Sequence, residues 1–417
     1  MKVGIVNNSD ILGGAAVVAH RLMNALRKDG VDAKMLVVNK YGKDDNVITF
    51  GSKLKSRYYF LKERLRIFMS NGFSRRNLFK VSIANSGYNI NDNPIIKDAD
   101  IIVVNWINQG VLSLKTIGRL SKLNIPIVWI MHDMWECTGI CHHAYECTNF
   151  KKQCGNCVYL GSGKKHDLSY KTLLRKERLY KDIPVKFVAV SNWLAGKCRE
   201  SYLLKDQDIE VIYNAFPVDK FSYERKSNNY LPADKKVIVM GAARLDDPIK
   251  GFQIMVDAMH HIRDNMPGLA GRLHILLYGT IRDKSLLDKI PVSYTFLGVV
   301  KGVKELSDIY RQSDIVLSTS LYETLPGTLI EGQASGCTPV TFGNGGQYDI
   351  VNHMKTGYIA EYKSARSIAE GIEWAVNNPV DRKFLHDNVS NKFSEDVISK
   401  KYLSLFDRLI SNFKKQI

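Results

Sequence analysis

The stretch YETLPGTLIEGQASG, residues 322–336, indicates the fold of this chain more strongly than any other. It places Glu323 and Glu331 eight residues apart around the start of a helix. Pro326 suits the first helical turn, because its missing N–H would be unsatisfied there anyway. Backbone N–H groups at such a helix start bind anions, and the helix dipole adds to this attraction. With a helical rise throughout, the two carboxylates would lie roughly 12 Å apart.

The residues before this stretch indicate a ligand-binding position. IVLSTS, residues 315–320, is a short apolar run typical of a strand, and α/β folds place ligands at the carboxyl ends of strands. A nucleotide-diphosphate sugar fits this spacing, whereas an ordinary surface helix with two solvated acids is the alternative. The stretch resembles the E-x7-E motif of the retaining glycosyltransferases of the GT-B fold, glycosyltransferase family 4.

The composition is that of a soluble globular protein with two or three domains. The chain has 417 residues, of which 45% are hydrophobic and 24% charged. No run approaches the roughly 18 apolar residues that span a bilayer. The N-terminus, MKVGIVNNSD, turns polar after six residues, which predicts a buried first strand and no secretory signal. We therefore expect a cytoplasmic protein.

The formal net charge of +17 predicts an anionic partner. Residues 53–80 contain nine Lys or Arg against one acid, Glu63, with aromatic and aliphatic residues between them. This pattern predicts a basic amphipathic helix that lies on an anionic membrane surface, at the inner face of the membrane. A solvated charged face over a core stripe is the alternative. Nucleic acid is not expected as a partner, because the sequence shows no matching module.

Alternating strand-like and helix-like segments predict an α/β protein with two doubly wound, Rossmann-like domains and a cleft between them. The polar residues 217–236 are the expected linker. The predicted domains are residues 1–217, with a basic insert at about 41–93, and residues 218–395, followed by a helix at 396–417. The predicted strands are VGIVN, KMLVVN, ADIIVVNW, PIVWIMHD, VKFVAVS and IEVIYNAF in the first half, and KVIVMGAA, RLHILLYG, VSYTFLG, DIVLSTS and CTPVTFG in the second.

A basic pair in MGAARLDDPIKGF, Arg244 and Lys250, is a candidate site for a leaving diphosphate, because a guanidinium fork and an ammonium stabilise developing negative charge. Two solvated loop cations are the alternative. The phrase resembles the diphosphate-binding Arg and Lys of the same family. That resemblance implies that both hold the diphosphate, that Glu323 binds the donor sugar and that Glu331 binds the ribose. The further donor-binding residues expected are Gly13, Gly14, Asn214, Pro326, Gly327, Thr328 and Leu329.

In the first half, three features match the family more weakly. Gly13 and Gly14 separate a strand from a helix and resemble the family's glycine loop. His132, at the end of a buried strand in HDMW, corresponds by resemblance to the active-site histidine, with a structural role as the alternative. Asn214 matches an N-G-V-D phrase in which Ala215 replaces the usual glycine.

Residues 137–157 are rich in cysteine, with Cys141, Cys147, Cys154 and Cys157 in the spacing C-x5-C-x6-C-x2-C. Four thiolates of this kind suit a structural zinc ion, and a reducing cytosol disfavours disulfides. Buried or free thiols and disulfides are the alternatives.

The resemblance covers nearly the whole chain and implies a GT-B fold whose C-terminal helix returns to the first domain. It implies retaining transfer from a UDP- or GDP-linked sugar to a glycan or lipid-linked glycan in surface polysaccharide biosynthesis. No D-x-D phrase is placed as a donor metal site, so we expect no catalytic metal. A nucleotide-sugar 2-epimerase and a non-catalytic, zinc-containing protein that binds RNA or membrane are the alternative functions.

Overall fold

The computed structural model describes residues 1–226, 231–232 and 234–415. These residues divide into two compact units: the first joins residues 1–215 to those from Ile398 onward, and the second contains residues 216–397. The division falls two residues before the predicted boundary. Part of the predicted linker, residues 227–230 and 233, lies outside the described residues.

The described part of the first unit forms one sheet of seven parallel strands, which are β1 (Lys2–Ser9), β2 (Asp32–Asn39), β3 (Val47–Thr49), β4 (Ile101–Val104), β5 (Ile127–Met131), β6 (Val185–Ala189) and β7 (Ile209–Val211). The strand order β3–β2–β1–β4–β5–β6–β7 reverses direction between β1 and β4. All residues of β4 and β5 are buried, as expected when helices cover both faces of a parallel sheet. Its helices are α1 (Gly14–Lys28), α2 (Lys53–Ser70), α3 (Pro94–Lys97), α4 (Leu114–Leu120), α5 (Leu168–Asp182) and α6 (Asn192–Arg199).

The described part of the second unit forms six parallel strands, which are β8 (Lys236–Arg244), β9 (Leu273–Thr280), β10 (Ser293–Phe296), β11 (Ile315–Ser318), β12 (Thr338–Phe342) and β13 (Tyr358–Ala360). The order β10–β9–β8–β11–β12–β13 reverses between β8 and β11. Its helices are α7 (Phe252–Asn265), α8 (Pro267–Ala270), α9 (Val303–Arg311), α10 (Gly327–Ala334), α11 (Gln347–Ile350), α12 (Ala365–Asn377) and α13 (Arg382–Phe393). Apolar side chains of α7 and α12 pack on this sheet and form the core of the unit.

These two parallel α/β units confirm the predicted doubly wound fold. The last helix, α14 (Glu395–Lys414), joins the first unit from Ile398 onward, where Ser399 Oγ donates to Asp29 Oδ2 at 2.6 Å. Two three-residue strands, β3 and β13, were not predicted. Among the described residues, no helix is long and apolar enough to cross a bilayer.

Helix α2 buries two charged residues and leaves several of its apolar residues exposed. Its buried side includes an ion pair, in which Arg64 Nη2 lies 2.9 Å from Glu63 Oε2. Its apolar residues at i, i+4, i+7 and i+11, Leu54, Tyr58, Leu61 and Leu65, are all exposed. Arg64, one of the nine Lys or Arg of the predicted basic helix, is therefore buried and paired with Glu63.

Candidate functional site

A cavity of about 160 Å³ lies in the second unit where the strand order reverses, between the ends of β8 and β11. Open α/β sheets bind ligands at this position. Lys250 and Glu323 line the cavity, together with residues 326–328 at the start of α10. The structure thus brings together five of the residues predicted for the donor site.

Lys250 and Glu323 form an ion pair inside this cavity. Lys250 Nζ donates to Glu323 Oε1 at 2.5 Å, and the two side chains are 30% and 21% exposed. Lys250 ends a short 3-10 turn, and Gly251 follows with φ of 65°. A Cβ atom at Gly251 would lie 2.1 Å from Thr319 O, so a glycine lets this turn approach the segment after β11. The ammonium is therefore fixed at the cavity wall.

The glycine-rich residues 343–346 hold the backbone around Glu323. Glu323 and Gly345 form an isolated parallel bridge, and Gly346 N donates to Glu323 O at 3.0 Å. A Cβ at Gly345 would lie 2.0 Å from Glu323 O, and one at Gly346 would lie 2.1 Å from Thr324 O. Backbone packing against the 323–324 segment therefore explains why glycines occupy these positions.

Helix α10 begins at Gly327, one residue later than expected, with Pro326 as its N-cap. Within the described part of the chain, no side chain caps this helix start, and residues 326–328 line the cavity at the end of the helix where N–H groups lack intrahelical partners. Because the residues from Glu323 to Pro326 are not helical, the assumption behind the 12 Å separation of Glu323 and Glu331 is wrong.

Three predicted donor residues of the second unit lie away from the cavity lining. The Arg244 guanidinium pairs instead with Asp247, with Nη2 2.9 Å from Oδ2. Leu329 is fully buried in α10. Glu331 lies near Tyr278, where burial first and the Glu331 charge second raise the pKa of the tyrosine.

The predicted residues of the first unit lie at the carboxyl edge of its sheet or beyond its last strand. Gly13 has φ of 99° and precedes α1, and Cβ atoms at Gly13 or Gly14 would meet no atom of the described residues within 4 Å. His132, directly after β5, is half-buried and donates through Nε2 to Asn105 Oδ1 at 2.9 Å. Loss of hydration lowers the pKa of His132 to about 4, although the charge of Asp133 opposes this shift. The imidazole is therefore neutral near pH 7. Asn214 is half-buried next to the boundary between the units.

Asp133 organises a second polar cluster that the sequence did not predict. Its carboxylate accepts from Trp106 Nε1 at 3.1 Å, His142 Nδ1 at 2.9 Å and Trp135 N at 2.7 Å. Burial opposes its ionisation, but His142 and these hydrogen bonds outweigh that effect and lower the pKa of Asp133 to about 2. The side chain thus caps its own loop and holds His142. The positions of Trp106 and Asp133 after β4 and β5 were the only signal.

The four cysteines of the predicted zinc site lie on one loop of the first unit. Burial, with neighbouring cysteines adding to it, raises the pKa of Cys154 to about 11 and that of Cys157 to about 12. In the described part of the chain, no three His, Cys, Asp or Glu side chains are arranged to hold a metal ion. The fit to zinc is therefore not shown, and zinc stays a prediction.

Comparison with known proteins places both units in one group of enzymes. The family model for glycosyltransferase family 4 matches residues 12–220, and the model for glycosyl transferases group 1 matches residues 234–378. The match to an uncharacterised glycosyltransferase of Methanocaldococcus jannaschii is 26% identical and covers 52% of this chain and 59% of that protein. The match to the capsular polysaccharide biosynthesis glycosyltransferase CapM of Staphylococcus aureus is 23% identical and covers 58% and 66%. The chain thus spans about three fifths to two thirds of the length of these relatives.

Solved structures show the same fold over almost the whole chain. A glycosyltransferase from Rickettsia africae superposes with a TM-score of 0.63 at 16% identity, covering 99% of both chains. HepE of Anabaena, solved in complex with UDP and glucose, superposes with a TM-score of 0.61 at 15% identity, covering 98% of this chain and 100% of HepE. At such identities the likeness establishes the GT-B fold but does not show which ligands this chain binds.

Proposed function

Because the chain belongs to glycosyltransferase family 4, we propose that it transfers a sugar from a UDP- or GDP-linked donor to a glycan acceptor, with retention at the anomeric carbon. The observation that carries this proposal is the cavity of the second unit, where an ammonium, a carboxylate and an uncapped helix start face one small space. These groups complement the phosphates and the sugar hydroxyls of such a donor.

Lys250 and the start of α10 bind the diphosphate. The ion pair with Glu323 holds the ammonium at the cavity wall before the ligand arrives, so little reorganisation is needed on binding. The sugar hydroxyls then bind Glu323, and the ribose binds Glu331 farther along α10. Arg244 is paired with Asp247, so it binds the diphosphate only if its guanidinium leaves Asp247 and contacts a phosphate oxygen instead.

The chemistry assigned to this site needs no covalent enzyme intermediate. The bond between the anomeric carbon and the diphosphate oxygen breaks, and its electron pair leaves on the phosphate. The acceptor oxygen forms the new bond on the same face, and its proton passes to the departing phosphate oxygen. Lys250 and the helix start stabilise the charge that develops there. His132, neutral at pH 7, binds a sugar hydroxyl, and no metal ion is assigned a step.

The acceptor that we assign is a growing surface glycan on a lipid carrier. The relative CapM acts in capsular polysaccharide biosynthesis, and another relative from Staphylococcus aureus is a poly(ribitol-phosphate) alpha-N-acetylglucosaminyltransferase. One name describes a capsular polysaccharide and the other a polymer of ribitol phosphate, which supports a polymeric acceptor for this chain.

Helix α2 provides the contact with the membrane in this proposal. Leu54, Leu61 and Leu65 are 82%, 51% and 57% exposed and lie in one stripe along the helix. Lys62 and Arg66, both exposed, lie beside this stripe. An outward apolar stripe with flanking cations suits the surface of an anionic bilayer. The protein then works in the cytoplasm, peripherally on the inner face of the membrane.

The donor site is tested by nucleotide binding. We expect UDP or GDP to raise the melting temperature, because a ligand of the folded state stabilises it. Lys250→Ala should weaken the binding of that nucleotide at least about tenfold. Lys383→Ala, which removes an exposed lysine paired with Asp387 at 2.6 Å, is the matched control and should bind normally. Binding of neither nucleotide, or equal affinity for both variants, would refute the site. Sugar isomerisation without nucleotide release would indicate the epimerase alternative.

The membrane contact is tested by co-sedimentation with vesicles. The protein should bind vesicles that contain phosphatidylglycerol, and less so those of phosphatidylcholine alone or at high salt. Replacement of Leu54, Leu61 and Leu65 by serine should reduce binding at least about tenfold. Serine at Leu297 and Val299, which are also exposed, is the control and should leave binding unchanged. Equal sedimentation of both multiple variants would exclude α2 as the contact.

A further inference from the structure

A second cavity, of about 250 Å³, lies in the first unit at the carboxyl edge of its sheet. Trp106 reaches it from the end of β4 and Asp133 from the end of β5, directly after His132. The rest of its wall comes from two other parts of the unit. The basic residues 53–80 contribute Phe79 and Lys80, and the cysteine-rich region with the residues after it contributes His142, His143, Tyr145 and Tyr159. The basic segment and the cysteine-rich region thus build a cavity together at the edge where α/β sheets bind ligands.

Backbone hydrogen bonds hold these two segments together. His142 N donates to Lys80 O at 3.2 Å, and Ser82 N donates to Ile140 O at 2.8 Å. Tyr159 OH donates to His143 O at 2.9 Å, which fixes one aromatic wall. The cavity is therefore formed by paired structure before any ligand binds.

The lining combines apolar ring faces with a fixed carboxylate. The rings of Trp106, Tyr145 and Tyr159 supply apolar surface, and Asp133 supplies acceptor oxygens. Three donors already bind Asp133, and a carboxylate has about four acceptor positions, so one position is left for a ligand hydroxyl. The volume lies below the range of about 300–1,000 Å³ that is usual for larger organic ligands, so one small ring fits it.

We propose that this cavity binds one sugar ring of the acceptor, with its apolar face on the aromatic side chains and a hydroxyl on Asp133. The proposal rests on the proposed glycosyl transfer and names the part of the chain that selects the acceptor. A phosphate is disfavoured here, because the Asp133 carboxylate would repel it and Lys80 is the one Lys or Arg in a described lining that also contains His142 and His143. The donor's phosphates are instead assigned to the cavity of the second unit.

Binding of simple glycosides tests the proposal. The probes are the methyl glycosides of glucose, galactose, mannose and N-acetylglucosamine, measured on the full chain by saturation-transfer NMR. We expect at least one to bind, and Tyr145→Asn to reduce its binding at least fivefold. Asparagine is chosen because Tyr145 has φ of 47°, which asparagine tolerates well. Tyr294→Asn, at an exposed tyrosine of the second unit, is the matched control and should bind like the wild type.

UDP and GDP binding, measured on the same samples, separates this inference from the proposed function. Loss of glycoside binding in Tyr145→Asn with nucleotide binding intact supports the cavity. Absence of glycoside binding to the wild type, or equal binding by Tyr145→Asn, overturns it even when nucleotide binds. Trp106→Phe keeps a ring but loses the hydrogen bond to Asp133, so it should also weaken glycoside binding. Unchanged glycoside binding by this folded variant counts against the role of Asp133.

Discussion

Replacement of His132 by glutamine should make the first unit more resistant to acid. The pKa of His132 falls from 6.5 to about 4 on folding, because burial removes the hydration of the imidazolium. The unfolded chain therefore binds this proton at a higher pH than the folded chain does. The wild type loses stability as pH falls from 6.5 towards 4, and the linkage relation gives a loss of about 2 kcal/mol between pH 7 and pH 5. Glutamine cannot be protonated, yet it keeps a donor for Asn105.

Urea unfolding at pH 7 and pH 5, followed by tryptophan fluorescence, measures this difference. Four of the five tryptophans lie in the first unit, so the signal reports mainly on the unit that contains His132. The loss between the two pH values should be about 2 kcal/mol smaller in His132→Gln than in the wild type. His166→Gln, at an exposed histidine of the same unit, should behave as the wild type. If His132→Gln loses as much stability as the wild type, the imidazole is not held neutral by burial.

Two further predictions concern the glycine-rich loop and the cysteines. Gly345→Ala should destabilise the second unit by about 1–3 kcal/mol and weaken nucleotide binding, because its Cβ would lie 2.0 Å from Glu323 O. Gly268→Ala, where a Cβ meets no described atom within 4 Å, is the control in thermal melts, and equal melting temperatures would contradict the packing argument. For zinc, metal analysis should give about one ion per chain, lost in Cys154→Ser and kept in Cys337→Ser. Zinc-free protein with all its thiols titratable would rule the ion out.

The fold was predictable from the sequence because most of its strands lie in apolar runs that alternate with helical patterns. β4 and β5, buried on both faces, show this pattern most clearly. The strands β3 and β13 have three residues each, too few for a periodicity, and unlike the equally short β7 they were not part of a predicted apolar run. The start of α10 was misplaced by one residue, an error that is common at helix ends.

The candidate sites were less predictable, because their geometry depends on contacts between distant residues. The sequence predicted a donor role for Lys250 and for Glu323, but not their ion pair. It gave no sign that Asp133 binds both Trp106 and His142, which come from separate loops. Arg244 has the residue type expected of a diphosphate ligand, yet an aspartate three residues away holds it outside the cavity lining.

The buried pair in α2 has a consequence for protein engineering. Arg64 Nη1 donates to Val81 O at 3.1 Å, and Glu63 Oε1 accepts from the Ile83 and Ala84 amides at 2.6 and 2.9 Å. These bonds anchor the helix to the segment that pairs with the cysteine-rich loop. The helix and the loop should therefore be transferred together. A chimera that receives the cysteine-rich loop from this chain also needs residues 53–84, because the loop otherwise loses the segment that it pairs with.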